Sequence, residues 1–395
     1  MKFSQRVHSI EPNAIARAES ERRGSGQRLM NLSDSNPTHS GLAPDILPEV
    51  YTADPRGSAA DRQAIAEFVA NTQGRVVSPE HLYVLSSTSE AYSWLFKVLC
   101  NPGDTVLAPA PGYPLVESIA QLENVYVEYY PLDLHDSWRI DTGWLAERLD
   151  AQASSGTGDT SSAIKAIVAI NPNNPTGSYV HQEERAKLID LCVRHDIALI
   201  ADEVFYSYPL DPLPGVTRLA GEDRVLTFAL DGLSKQLAAP GAKVAWIEAS
   251  GPEGVLDEAL RRLDVVADAF LPMSQLISRQ LPSLLAQVDA QHAVVARRLR
   301  HNMQLCRGLI RQDPAGLVSC GQVEAAWSVL LRFPSTVDEQ ALVLRLIRDA
   351  GITMQPGYFF DMPLPGFVAA SLLVDPADFE HGLRVLVDQV SSLQQ

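Results

Sequence analysis

Lys235 closes the string Asp231-Gly232-Leu233-Ser234-Lys235, directly after the apolar run 225–230. A lysine at a strand end, partly removed from water, gives up its proton and becomes able to form an imine. Asp202 ends a second apolar run, Ala198-Leu199-Ile200-Ala201, and a carboxylate in that setting needs a cationic partner. The string Asn171-Pro172-Asn173-Asn174-Pro175-Thr176-Gly177 follows a third run and reads as a tight turn whose asparagine amides are free to donate. Ser86-Ser87-Thr88-Ser89 opens a helical pattern, and the N–H groups and positive dipole end of a helix start suit an anion such as phosphate. Each segment also has an ordinary reading: a surface lysine, a loop-capping aspartate, a turn, a Ser/Thr N-cap.

The elements that must bring these segments together are readable from periodicity. Short apolar, β-rich runs fall at 82–86, 105–108, 125–130, 164–170, 198–201, 225–230 and 244–248. Helical patterns at 89–100, 114–122 and 182–195 lie between them. Near-continuous apolar strands alternating with helices predict a mostly parallel sheet of seven strands, covered on both faces. All four segments then lie at strand ends, where ligands bind in such sheets. The stretch 151–162 is rich in small polar residues and reads as an exposed loop. Beyond about residue 252 the pattern turns helical, with a long helical segment at 275–310 and further strands near 327–331 and 368–373.

Composition narrows the function. With 48 acidic and 32 basic residues the formal charge is -16, which disfavours general binding to nucleic acid or to anionic membranes. No run approaches the roughly 18 apolar residues of a membrane span. The first residues lack the apolar core of a signal peptide, so a cytoplasmic protein is expected. Cys100, Cys192, Cys306 and Cys320 are widely spaced without a CxxC pair, and are expected to be reduced thiols rather than metal ligands.

Taken in order, the segments resemble the class I/II aminotransferases of the pyridoxal 5'-phosphate (PLP) fold type I family over nearly the whole chain. Residues 171–177 match that family's NPxNPTG string, and Asp202-Glu203-Val204 its DE(V/I) element. Ser234-Lys235 with Pro240-Gly241-Ala242-Lys243 matches its SKxxxxPGx(R/K) signature. Tyr51 with Gly57 and Arg62, and Ala110-Pro111-Gly112-Tyr113-Pro114, resemble two further family segments. The resemblance implies an α/β PLP-transferase fold. Its large part, residues 46–277, would carry the seven-stranded sheet, with a smaller α+β part from 1–45 and 278–395. It implies Lys235 as the Schiff-base residue, Asp202 as partner of the pyridine nitrogen, Asn174 as donor to the ring oxygen and Tyr113 as the stacking ring. It places Ser87, Thr88, Ser89, Ser234 and Lys243 at the phosphate. Tyr51 would reach the phosphate of a second subunit, which implies a homodimer.

Three positions depart from the family pattern. Lys243 stands where many relatives have arginine, and Phe205 where they have tyrosine. In the C-terminal stretch 366–372, Ala369 takes the place of the arginine that clamps the substrate carboxylate, and no Lys or Arg lies between Arg348 and Arg384. Ser35, Asn36, Thr38 and His39 become the candidate substrate contacts. The expected activity is transamination by ping-pong between an amino acid or amine and a 2-oxo acid. The same residues would also serve a β-eliminating C–S lyase. From another class, a PLP-binding regulatory protein with little turnover would have the same fold. Such proteins carry an attached DNA-binding domain, and the retained Lys235 and Asp202 speak against that reading.

Overall fold

Strand and helix positions follow the sequence pattern closely in a computed structural model describing residues 1–6, 20, 24–26, 51–154, 163–211, 215–313, 315–325 and 327–394. The larger sheet contains β1 (Leu82–Leu85), β2 (Thr105–Ala110), β3 (Tyr126–Asp133), β4 (Arg139–Ile140), β5 (Ile164–Ile170), β6 (Ala198–Asp202), β7 (Thr227–Gly232) and β8 (Ala245–Ser250). Their spatial order is β1-β8-β7-β6-β5-β2-β3-β4. The sheet therefore has eight strands, not seven. The extra one, β4, is a two-residue antiparallel edge on β3, too short to leave a periodic signal. Pairing is parallel from β3 through β2, β5 and β6 to β7, and antiparallel where β8 joins β7 and β1.

Helices cover both faces because both faces are apolar. Thr88–Leu99, Leu115–Leu122 and Glu253–Phe270 contribute to one core, which includes Trp94, Phe96 and Phe228. Thr142–Ser154 and Gln182–His195 pack on the other, around Leu145, Leu188 and Ile167. The small-residue stretch from 151 begins as the end of a helix, since Thr142–Ser154 continues through it to Ser154. The expected long helix from 275 is broken into Gln275–Ser278, Leu281–Leu285 and Val288–Gln312. Pro282 lies in the first turn of the middle piece, where proline is tolerated, but its ring could not sit inside a continuous helix.

A second, antiparallel sheet joins β9 (Ser319–Cys320), β10 (Ser328–Arg332), β11 (Gln355–Pro356) and β12 (Phe367–Ser371) in the order β11-β12-β10-β9. Side chains alternate along its strands. Val368 and Ala370 face a core shared with the helix Val288–Gln312, while Phe367 and Ala369 join the core of the large sheet. Ala369, 5% exposed, thus fills the seam between the two sheets with a methyl group. Cys100, Cys192 and Cys306 are buried, Cys320 is partly so, and all four are free thiols.

The turn 171–177 ties the sheets together. Asn171 Oδ1 accepts from the Val180 N–H at 3.0 Å, and Asn173 Oδ1 from the Thr176 hydroxyl at 2.9 Å. The Gly177 carbonyl accepts from the N–H groups of Glu324 and Ala325 at 3.2 and 2.9 Å. Gly177 has φ +73°, and a Cβ there would lie 2.4 Å from the Ala325 carbonyl oxygen and 2.6 Å from Val323 Cγ1. Gly177→Ala should destabilise the fold by about 1–3 kcal/mol through overpacking and left-handed strain. A denaturant titration against the parent protein would check this, and an unchanged midpoint would refute it.

Candidate active site

At the carboxyl ends of β5, β6 and β7 lies a cavity of about 230 Å³. Asp202, the last residue of β6, lines it and is 6% exposed. Tyr92 donates its hydroxyl to Asp202 Oδ2 at 2.9 Å, and the Val204 N–H donates to Oδ1 at 3.3 Å. Burial pushes the Asp202 carboxyl up to about 6, against the pull of Tyr92, Val204 and the Lys235 charge. A carboxylate that still holds a proton near pH 6 has too little positive charge around it. A cation placed against this carboxylate would bring its pKa back down.

Lys235 sits in the helical turn Leu233–Gln236, which begins where β7 ends. Its carbonyl accepts from the Tyr208 hydroxyl at 2.5 Å, and the Leu233 N–H bonds the Val244 carbonyl at 2.9 Å, so both sides of the turn are held. The ammonium lies 5.2 Å from the centre of the Phe205 ring and 5.0 Å from that of Trp327. Burial lowers the pKa of this lysine and the Asp202 charge opposes the shift. That is the condition under which an amine becomes nucleophilic.

The anion end is built from the helix Thr88–Leu99. Ser87 is its N-cap, with its hydroxyl accepting from the Glu90 N–H at 3.2 Å. Glu90 folds back to take the Ser86 N–H at 3.0 Å. The Thr88 and Ser89 N–H groups precede the first intrahelical bonds and face the dipole's positive end. Ser87, Thr88, Ser89, Ser234 and Lys243 all line the cavity. Lys243 adopts φ +51° at the end of the Pro240–Ala242 turn. The Ser87 hydroxyl thus caps the helix, as the plain reading had it, while lining the same cavity.

Tyr113 and Asn174 line the cavity too. Tyr113 is 40% exposed, and burial together with the Asp202 charge raises its phenol pKa. Asn174 Oδ1 accepts from the Ser328 hydroxyl of β10 at 3.4 Å. Tyr51 does not line the cavity and is 38% exposed. Ser35, Asn36, Thr38 and His39 lie outside the described residues. Phe205 lines the cavity, whereas Tyr206 turns away under the Arg218 guanidinium, 4.1 Å from its ring centre.

Tyr92 and Trp327 are site residues that the motifs did not single out. Tyr92 lies three and four residues beyond Ser89 and Thr88, so helical spacing puts it on the face that carries the anion site. Trp327 immediately precedes β10 of the second sheet, and only the three-dimensional structure brings it to Lys235.

A carbonyl cofactor that is also a phosphate ester and a pyridine needs an amine, an anion cradle and a carboxylate around one cavity. This cavity offers all three, and the α/β architecture around it is that of PLP-dependent fold type I enzymes. The profile of the family "Aminotransferase class I and II" matches residues 51–386, and the chain belongs to that family. The family is PLP-dependent, and the protein is an enzyme of the transaminase kind.

Glutamate-pyruvate aminotransferase AlaA of Escherichia coli is 25% identical over 94% of this chain and 92% of its own length. An S-alkyl-thiohydroximate lyase of Arabidopsis thaliana is 26% identical over 75% of this chain, and the match spans 63% of that lyase's length. Among solved structures, an aminotransferase from Escherichia coli superposes with a TM-score of 0.75 at 23% identity, covering 99% of this chain and 98% of that one.

Proposed function

We propose that this transaminase holds PLP in the Lys235 cavity and exchanges amino groups between small amino acids and 2-oxo acids, with L-alanine and L-glutamate as first candidates. The buried, under-neutralised Asp202 carboxylate beside a desolvated lysine carries this reading. The names of the relatives, glutamate-pyruvate aminotransferase and alanine aminotransferase, point to the substrates. When bound, the cofactor supplies an electron-withdrawing ring that stabilises negative charge on the substrate carbon.

The protein's own residues do the rest. Asp202 would keep the ring nitrogen protonated, with Tyr92 holding that carboxylate in place. Lys235 Nζ would anchor the cofactor carbonyl and, as a desolvated amine, would hold and move the proton at the substrate carbon. Phe205 and Trp327 exclude water around Nζ. Asn174 would donate to the ring oxygen, and the start of the helix Thr88–Leu99 would hold the phosphate together with Ser234 and Lys243.

Ala369 leaves the substrate carboxylate without an arginine at that strand. We assign its binding to the segment of Ser35, Asn36, Thr38 and His39. Tyr51, away from its own cavity, fits a role at the phosphate of a second subunit in a homodimer. The division into parts 46–277 and 1–45 with 278–395 is supported by the two sheets falling on either side of residue 277. The acidic charge and the lack, among the described residues, of any helix long and apolar enough to cross a membrane support a cytoplasmic enzyme.

The test is a panel of amine donors mixed one at a time with the PLP-loaded protein. Alanine and glutamate should convert the bound cofactor to its pyridoxamine form, and pyruvate or 2-oxoglutarate should reverse it. Continuous pyruvate and ammonia from a cysteine-like substrate without a 2-oxo acid would instead establish the lyase.

A further inference from the structure

Behind the cavity lies a second set of charges with no part in the chemistry above. Side chains alternate at the strand ends, so Asp202 lines the cavity while Glu203 and Asp231 do not. Both are buried, Glu203 at 0% and Asp231 at 5% exposure. Glu203 Oε1 accepts from Asn171 Nδ2 at 2.9 Å and from the Leu219 N–H at 2.7 Å. Arg218 Nη1 donates to Glu203 Oε2 at 3.2 Å and stands 4.0 Å from Asp231 Oδ2. Asp231 Oδ1 accepts from the Gly232 N–H at 2.8 Å, and its Oδ2 from Gln236 Nε2 at 2.7 Å.

These bonds link the three loops that carry the cofactor residues. Asn171 opens the turn of Asn174, Glu203 follows Asp202, and Asp231 and Gln236 bracket Lys235 on either side. We propose that Asp231 is a positioning residue, clamping the turn that carries Lys235 to the loop that carries Asp202 through Gln236 and Arg218. It touches neither substrate nor cofactor. The inference rests on the assignment of Lys235 as the cofactor lysine.

Two observations bear on how Asp231 is held. Burial pushes the Asp231 carboxyl up to about 7, despite Arg218, the Gly232 N–H and Gln236, so the ionised form is held at a cost in stability. Buried groups with shifted pKa values of this kind concentrate at functional sites. Gln236 Oε1 is buried without a hydrogen-bond partner. A rotated Gln236 amide can therefore accept from an asparagine at 231, which makes Asp231→Asn a variant that keeps both bonds.

The experiment compares PLP-loaded wild type, Asp231→Ala and Asp231→Asn. Its readouts are kcat, KM, the thermal midpoint and the pH titration of the bound cofactor's absorbance. Displacement of a reacting group by about 1 Å costs on the order of 10²-fold. Asp231→Ala should therefore lose about 10- to 100-fold in kcat with KM within about threefold, and its absorbance titration should move by about half a pH unit or more. Asp231→Asn keeps the Gly232 and Gln236 bonds but loses the Arg218 pairing, so it should recover kcat to between wild type and the alanine variant, within about tenfold of wild type. If Asp231→Ala does not fold, Gln236→Leu removes one of the two bonds at similar volume and should cost about 3- to 10-fold in kcat with a shifted titration. Wild-type kcat and titration in Asp231→Ala or, in its place, Gln236→Leu would overturn the proposal. So would an Asp231→Asn protein as slow as the alanine variant with an unmoved titration, the mark of a packing role. A wild-type protein whose bound PLP is not attached to Lys235 would overturn the cofactor assignment, and this inference with it.

Discussion

Lys235→Ala should reduce transamination by at least about 10³-fold and leave the protein folded. One side chain both anchors the cofactor and moves the proton, and general acid–base transfer alone is worth about 10²–10⁴-fold. The fold should tolerate the change because Lys235 is a helical-turn residue whose structural contact is its carbonyl, held by Tyr208. Removing a partly buried ammonium also relieves desolvation, the larger influence on its pKa. Borohydride treatment followed by peptide mass mapping should find PLP fixed at Lys235 in the parent and nowhere in the variant. Adduct formation at another lysine, or turnover within tenfold of the parent, would refute the assignment.

Asp202→Asn is expected to split stability from activity. In the protein without cofactor, the carboxyl titrates at about 6 against an ordinary value of 3.8. The folded state then binds the proton more tightly than the unfolded state. Stability is fully present below about pH 4, falls as pH rises through about 6, and stays low above it. The difference is on the order of 3 kcal/mol. The asparagine variant escapes this loss. Its cofactor-free thermal midpoint should exceed that of the parent at pH 8, and the gap should close near pH 4. With cofactor, the order reverses in function. The ring nitrogen would lose its anionic partner, and breaking a buried ion pair costs about 3–5 kcal/mol, or roughly 10²- to 5 × 10³-fold in kcat. Equal midpoints at pH 8, or a kcat within threefold, would show that Asp202 is not the under-neutralised group described above.

Much of this site could be read from the chain because each strand-end segment is local. The lysine, the aspartate and the asparagine turn each occupy a handful of consecutive residues, and alternating strands with helices sends them to one edge. The long-range pieces left weaker marks. Tyr92 looks like any aromatic on an apolar helix until its hydroxyl meets Asp202, 110 residues away. Arg218 has no periodic context, and only the fold places it between Glu203 and Asp231. β4 is too short for any pattern, and the break before the helix Val288–Gln312 was signalled by Pro282 alone. The arginine absent at 369 could be noticed in the chain, but only the sheet seam shows that this position is closed by packing.

The hydrogen bond from Ser328 to Asn174 spans 154 residues, and the Gly177 carbonyl is held by Glu324 and Ala325. Seen from the ribosome, the cavity wall is unfinished while its own loop is already long out of the exit tunnel. At about 5–20 residues per second, roughly 8–30 s of translation separate Asn174 from the strand that braces it. A chain released early, before β10 has emerged, carries every residue of the Lys235 signature and yet lacks the brace on its asparagine turn. C-terminal truncations should therefore fail in assembly of the site before they fail in its chemistry.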